Sequence, residues 1–185
     1  LNRYKITKKF ILNTSPFEHR KNLEGMIEGF SRIPKRIRSA YQIVIIGKMD
    51  EYARTSLRNL TLACGLSEKD VILTGFVADK DLVSLYRLCF LFIFPSYSEG
   101  FGLPPLEAMA CVAPTVGSSA TSILEVIGFP EALFDPHDRS DIARVITRAI
   151  TDHKFYETLK KHALTQSVRS SWEDAAKRAL AFFGS

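Results

Sequence analysis

The sequence is poor in cysteine and has no long apolar run. Its three cysteines, Cys64, Cys89 and Cys111, are widely spaced among apolar residues, which favours reduced core thiols over disulfides or a zinc site. We therefore expect a cytoplasmic protein. No apolar run is long enough to cross a membrane, and no signal-peptide pattern is present. The chain begins at Leu1 rather than Met, and we expect it to be a piece of a longer protein.

Motifs of several enzyme classes are also missing. No Gly-x-Gly-x-x-Gly follows the first predicted strand, where Thr14-Ser15-Pro16-Phe17 stands instead, and this disfavours a dinucleotide-dependent oxidoreductase. The four histidines form no metal-ligand pattern, and His19 is expected to be a solvated loop side chain. No serine stands in a nucleophile elbow. We therefore expect neither a metal site nor serine-hydrolase chemistry.

The charge is unevenly distributed along the 185 residues, whose net charge is +5. The excess of positive charge lies in the first half, whose basic residues include Lys5, Lys8, Lys9, Arg20, Lys21, Lys35, Arg36 and Arg38. Charge alone allows nucleotide phosphate, an anionic membrane surface or nucleic acid as the partner. No nucleic-acid motif or aromatic interleaving accompanies these residues, so nucleic acid is not expected. Residues 35–38 follow Pro34 at a predicted helix end, where their positive charges complement the helix dipole. The alternative role for these residues is peripheral contact with the inner face of the membrane.

Short apolar strands alternate with amphipathic helices along the chain. The strands are predicted at residues 10–14, 42–47, 71–74, 91–94, 113–116 and 132–134. The helices are predicted at residues 22–32, 51–64 and 79–89, after the fourth strand, and in a tail from about residue 138 with breaks near 151–153 and 170. This alternation predicts a parallel sheet with helices on both faces, a doubly wound, Rossmann-like α/β fold in one domain spanning residues 1–185.

Two glutamates mark the most informative stretch, PSYSEGFGLPPLEAMAC at residues 95–111. Glu99 and Glu107 bracket a Gly-Phe-Gly turn and the start of a helix. Taken singly, Glu107 could complement the helix dipole from the first turn, and Glu99 could be a solvated loop acid. Together with the glycines between them, they predict a site that accepts hydrogen bonds from hydroxyl groups.

The turn between these glutamates is built to bind an anion. Gly100 and Gly102 permit backbone angles that are closed to other residues, and Pro104 and Pro105 suit the first turn of a helix. The free N–H groups of that helix then point back over the loop, where several donors and the positive end of the helix dipole converge.

The candidate residues follow successive strands. Arg20 and Lys21 follow the first strand, Gly47 and Lys48 the second, Phe76 and Val77 the third, and residues 99–103 the fourth. Ligands of doubly wound sheets bind at the carboxyl ends of the strands, near the switch in strand order. The spacing therefore predicts one site at that edge.

The glutamate pair also resembles the signature of a family, the retaining group 1 (family 4) glycosyltransferases of GT-B fold, in their C-terminal, donor-binding domain. Further segments are similar in the family's order: EHRKN at 18–22, QIVIIG at 42–47, VILTGFV at 71–77, SILEVIG at 122–128 and Ser-Trp-Glu at 171–173. The resemblance implies an enzyme that moves a hexose from a nucleoside-diphosphate sugar to a glycan or lipid-linked acceptor, without a further cofactor. The acceptor would bind to an N-terminal domain absent from this sequence.

The resemblance also implies roles for individual side chains. Lys21 and Arg20 would bind the diphosphate, Glu107 the ribose hydroxyls, and Glu99 would position the transferred sugar at the catalytic centre. Because adjacent residues at a helix start do not face the same way, Lys21 is the first choice for the diphosphate. Many members carry a basic residue near residues 13–15, where this chain has Asn-Thr-Ser, and Arg20 is the expected replacement.

Backbone groups complete the implied site. Those that would meet the diphosphate or sugar belong to Gly100, Phe101, Gly102 and Leu103, with Gly47 beside them and Val77 in the loop that faces the base. Phe101 can equally be a core residue. Similarity to polysaccharide and lipopolysaccharide mannosyltransferases favours GDP-mannose as donor. The alternative to an enzyme is a non-catalytic nucleotide- or anion-binding α/β module.

Overall fold

Six parallel strands form one sheet in the computed structural model, which describes residues 1–169. The strands are β1 (Lys9–Thr14), β2 (Tyr41–Ile46), β3 (Val71–Gly75), β4 (Leu91–Phe94), β5 (Thr115–Ser118) and β6 (Leu133–Phe134). Their order is β3-β2-β1-β4-β5-β6, and every neighbouring pair is parallel. The order reverses between β1 and β4, so the predicted doubly wound fold is confirmed.

Helices connect the strands. They are α1 (Leu23–Arg32), α2 (Lys35–Arg38), α3 (Glu51–Ala63), α4 (Asp79–Leu88), α5 (Leu103–Ala110), α6 (Thr121–Ile127), α7 (Arg139–Thr151) and α8 (His153–Arg169). Asp152 separates α7 from α8 at the predicted break, since its side chain accepts a hydrogen bond from the N–H of Phe155 and caps the second helix. The predicted break near 170 and the Ser-Trp-Glu segment at 171–173 lie outside the described residues.

The core lies on both faces of the sheet. Every residue of β2 and β4 is buried, as continuous apolar strands require when helices cover both sides. Helix α1 packs against α7, and α5 packs against α8. The largest fully buried side chains are aromatic: Phe10, Phe30, Phe92, Phe94 and Phe134. Each such burial stabilises the fold by roughly 1.5–3 kcal/mol.

Strand β5 starts and ends two residues later than predicted. Gly117 and Ser118, which follow the predicted end at Val116, belong to the strand. A side chain at Gly117 would meet Ile127 and Ile123 of α6, so glycine allows this helix to approach the sheet closely. The extension carries β5 far enough to pair with β6.

Among the described residues, none of the helices is both long and apolar enough to span a bilayer.

Candidate functional site

Lys21 and Arg20 converge on Glu99 at the carboxyl edge of the sheet. Lys21 Nζ lies 2.6 Å from Glu99 Oε1, and Arg20 Nη1 lies 2.8 Å from Oε2. The prediction that adjacent residues at this helix start do not face the same way is wrong for Arg20 and Lys21. Residues His19–Lys21 form a single 3-10 turn before α1. Each carboxylate oxygen of Glu99 accepts a hydrogen bond from one of the two cationic side chains.

Glu99 is a buried, charged acceptor and not a solvated loop acid. Its side chain and that of Lys21 are each 9% exposed. Burial by itself raises the pKa of the Glu99 carboxyl, but the hydrogen bond from Lys21 and the charges of Lys21 and Arg20 more than offset this effect. The pKa therefore lies below its ordinary value, and the carboxylate forms ion pairs with both cations, of which Arg20 also pairs with Glu18 at 2.8 Å.

The backbone of Glu99 is held from α6. Its N–H donates to Thr121 Oγ1 at 3.0 Å, and its carbonyl accepts from Ser122 Oγ at 3.1 Å. Thr121 adopts a left-handed φ of 48°, which is unusual for a β-branched residue. Ser122 is the first residue of the SILEVIG segment, and its hydrogen bond to the Glu99 carbonyl is the contact by which this segment supports the site.

Asn22 is a positioning residue that sequence reasoning did not identify. It is buried with φ 52°, and its Nδ2 donates to the carbonyls of Pro95 at 3.0 Å and Pro136 at 2.9 Å. It therefore joins the loops that follow β1, β4 and β6. The signal available in the sequence was the Asn that ends the basic EHRKN segment.

A second brace runs through Tyr97. Its N–H donates to the carbonyl of Arg20 at 2.8 Å, and its ring lies between the imidazoles of His19 and His137, with centroids 5.5 and 4.6 Å away. Arg139 donates to the Tyr97 hydroxyl at 3.3 Å and to Glu28 at 2.7 Å. His19 is exposed as expected, but it packs on this ring.

The start of α5 faces the same edge. Gly102 precedes α5 with φ 92°, and the two prolines occupy the first turn as predicted. Gly100 is not among the residues with positive φ, and no atom would lie within 4 Å of an added Cβ, so the predicted need for glycine there is wrong. Phe101 is 52% exposed, which rules out the core alternative for it.

Glu107 lies at the exposed side of α5. It is the fifth residue of the helix, beyond the first turn, so the dipole interpretation does not explain it. Tyr86 donates its hydroxyl hydrogen bond to Glu107 Oε2 at 3.0 Å, and the same hydroxyl lies 3.0 Å from Thr14 Oγ1. Burial raises the pKa of the Tyr86 phenol, so it remains a donor. The contact places Glu107 beside the carboxyl end of β1, whose last residue, Thr14, shares the Tyr86 hydroxyl.

Gly47 and Val77 occupy the ends of β2 and β3. A side chain at Gly47 would overlap the main chain of Ser15, so glycine lets these two loops lie in contact. Val77 is buried in the core, whereas its neighbour Phe76 is 83% exposed. At Val77 only the backbone is therefore available to a ligand, as predicted from the sequence. The aromatic ring that this loop exposes is that of Phe76.

Across residues 1–169, no group of three or more His, Cys, Asp and Glu side chains is arranged to hold a metal ion. The chemistry available at this edge is that of two cations, two carboxylates and backbone N–H donors. Such a set suits a ligand that carries both phosphate and hydroxyl groups.

Comparisons with known proteins agree with this chemistry. A sequence model of the family described as glycosyl transferases group 1 matches residues 2–166. The serotype-specific mannosyltransferase WbdA of Escherichia coli is 47% identical over 96% of this chain and 22% of its own length. The O-antigen chain mannosyltransferase B of Escherichia coli is 32% identical over 92% of this chain and 44% of its own. A sucrose-phosphate synthase from Thermosynechococcus elongatus superposes with a TM-score of 0.81, at 25% identity, over 95% of this chain and 45% of that one. The chain thus spans less than half of each relative.

Proposed function

Because the chain belongs to the glycosyl transferases group 1 family, we propose that it is the donor-binding half of a retaining mannosyltransferase. The donor is a nucleoside-diphosphate sugar, GDP-mannose in our proposal, and no further cofactor takes part. The acceptor is a glycan or a lipid-linked glycan bound by an N-terminal domain. The observation that carries this proposal is the nearly buried Lys21–Glu99 ion pair, joined from the exposed side by Arg20, at the switch in strand order.

The cluster is suited to exchange partners when the donor binds. In the free protein Glu99 pairs with Lys21 and Arg20, and Glu18 pairs with Arg20 as well. A diphosphate with about two negative charges takes over the two cations, since Lys offers a point charge and Arg a fork of donors. The carboxylate of Glu99 is then free to accept hydrogen bonds from the sugar hydroxyls. One residue thereby holds the empty site together and positions the sugar in the occupied one.

The reaction proposed is transfer with retention of configuration. The acceptor hydroxyl oxygen bonds to the anomeric carbon on the face that the diphosphate leaves, and the bond from that carbon to the diphosphate oxygen breaks with its electron pair on the diphosphate. The departing diphosphate oxygen takes up the proton of the acceptor hydroxyl. Negative charge therefore grows next to Lys21, Arg20 and the N–H groups at the start of α5, which stabilise it. Glu99 positions the sugar and forms no covalent bond to it.

The remaining contacts fix the nucleoside. Glu107, oriented by Tyr86, accepts hydrogen bonds from the ribose hydroxyls. Backbone groups of residues 100–103 meet the diphosphate or sugar, and the backbone of Gly47 lies beside them, where the loops after β1 and β2 are in contact. The backbone at Val77 faces the base, beside the exposed ring of Phe76.

The basic residues of α2 support a location at the inner face of the membrane. Lys35 and Arg36 are exposed, and α2 leads into β2 at the edge opposite the donor site. Each such cation near an anionic bilayer is worth about 1 kcal/mol of binding. In a flotation assay, we expect the wild-type protein to float with phosphatidylglycerol vesicles and the double variant Lys35→Glu/Arg36→Glu to float less. If both proteins float equally, α2 does not contact the membrane.

The full-length protein tests the transfer itself. Incubated with an acceptor glycan and a panel of sugar nucleotides, it should release GDP from GDP-mannose faster than nucleotide from the UDP-sugars. The Glu99→Ala variant should transfer little, and Lys80→Ala, an exposed change at the start of α4, should transfer normally. Binding of GDP-mannose without any transfer would favour the non-catalytic module instead.

A further inference from the structure

We propose that a cavity at the amino edge of the sheet binds a short, uncharged stretch of glycan. The cavity encloses about 470 Å³, within the range of small-molecule sites. It opens where β1 and β2 begin and where α4 and α7 end. Glu99 follows the end of β4, so the cavity and Glu99 lie at opposite ends of the strands. A strand of six residues separates the two edges, roughly 20 Å at the usual rise per residue.

A nearly buried tyrosine lines this cavity. Tyr41 is 7% exposed and is one of the residues that form the cavity wall. Burial raises the pKa of its phenol, and the group is a protonated donor at neutral pH. A ligand oxygen in the cavity would accept a hydrogen bond from such a donor.

The wall of the cavity is aromatic. The rings of Phe90 and Tyr156 stack with centroids 4.6 Å apart, and Tyr41 meets Phe90 edge-on at 4.9 Å. Lys9 Nζ lies 5.7 Å from the centre of the Phe90 ring. Burial also raises the pKa of Tyr156 to about 12, and its hydroxyl is a second donor in the same wall.

The cavity offers acceptors as well as donors. Helix α7 ends at Thr151, so the carbonyl groups of Ala149, Ile150 and Thr151 have no partner within the helix. Two of the lining side chains, Lys9 and His153, carry donors of their own, and none of the described lining residues is a carboxylate.

This mixture selects the class of ligand. A phosphate would meet Lys9 but also the negative end of the α7 dipole, which repels anions. A metal cation would be repelled by the positive charge of Lys9. A sugar ring suits both sets of groups, because each of its hydroxyls donates and accepts, and its carbon face can lie on the aromatic wall. That the glycan is a mannose oligomer rests on the proposed function.

Titration of the 185-residue chain with linear mannotriose tests the site. We expect weak saturable binding, with shifts of the Tyr41 and Tyr156 ring signals among the six tyrosines. Tyr41→Phe and Tyr156→Phe keep the rings and should each weaken binding roughly 3- to 10-fold, the worth of one hydrogen bond. GDP affinity should not change in these variants. Lys21→Ala should do the reverse, weakening GDP and sparing mannotriose.

Three results would overturn the proposal: no binding of mannotriose, binding that both phenylalanine variants leave unchanged, or inorganic phosphate displacing mannotriose from the cavity. The two proposals fail separately, because GDP binding reports on the carboxyl edge and mannotriose on the amino edge. A protein that binds mannotriose at Tyr41 but not GDP would retain the glycan site and lose the donor site.

Discussion

The two glutamates of the motif have similar chemistry and different surroundings. Glu99 is buried between two cations, whereas Glu107 is exposed and accepts from one phenol. Their separation of eight positions was visible in the sequence, but their partners were not. Lys21 is 78 residues from Glu99 along the chain, and only the folded sheet brings the pair together.

Alanine substitutions should separate their roles. Glu107→Ala is expected to weaken GDP and GDP-mannose alike, by about 1.5–3 kcal/mol for a lost charged hydrogen bond. Glu99→Ala should leave GDP affinity unchanged or improved, because Lys21 and Arg20 lose their internal competitor. Calorimetry measures both, after circular dichroism has shown each variant folded. If GDP binds folded Glu107→Ala as well as wild type, Glu107 does not hold the ribose.

The Glu99 carboxylate should also make stability depend on pH. Its pKa is lowered in the folded protein, so its contribution is present above the ordinary value of 4.5 and is lost as the pH falls through the folded value. Urea unfolding of wild type and Glu99→Gln should therefore differ most near pH 7, and the difference should shrink below about pH 4.5. A difference that stays constant down to pH 3 would contradict the ion pairing.

At the scale of elements, the sequence predicted the order of strands and helices because apolar periodicity is a local property. Most boundaries were correct within a residue or two. The exceptions involve contacts between distant segments. Gly117 belongs to a strand because α6 packs on it, and Asn22 leaves the helical region because its amide bridges Pro95 and Pro136. The single turn at His19–Lys21, which aims both cations at Glu99, has no periodic signal.

The two glycines of the loop provide a matched test of its backbone. Gly102→Ala places a Cβ at φ 92°, and we expect a loss of about 1–2 kcal/mol of unfolding free energy, although the nearest atom is an ordinary 3.6 Å away. Gly100→Ala, in open space and without a positive φ, should change stability by less than about 0.5 kcal/mol. Equal losses in the two variants would show that φ is not what requires Gly102.

At the scale of the whole molecule, the sheet has two chemically different edges. The carboxyl edge gathers Glu99, Glu107 and the start of α5, and the amino edge carries α2 and the Tyr41 cavity. The parallel direction of the strands makes this division, because every strand ends at the same edge. Apolar periodicity and motif spacing predicted the fold and this edge, but they could not reveal the cavity, whose walls come from β1, β2, α4, α7 and α8.

The most direct test of the account is the difference in affinity between GDP and guanosine, measured by calorimetry on the wild-type chain and on Lys21→Ala. We predict that wild type binds GDP roughly 10- to 100-fold more tightly than guanosine, since charge-assisted hydrogen bonds to the diphosphate are worth about 1.5–3 kcal/mol. Lys21→Ala should lose most of this difference, and Lys80→Ala should keep it. Equal affinities for GDP and guanosine in wild type would contradict a diphosphate site at the Lys21–Glu99 cluster.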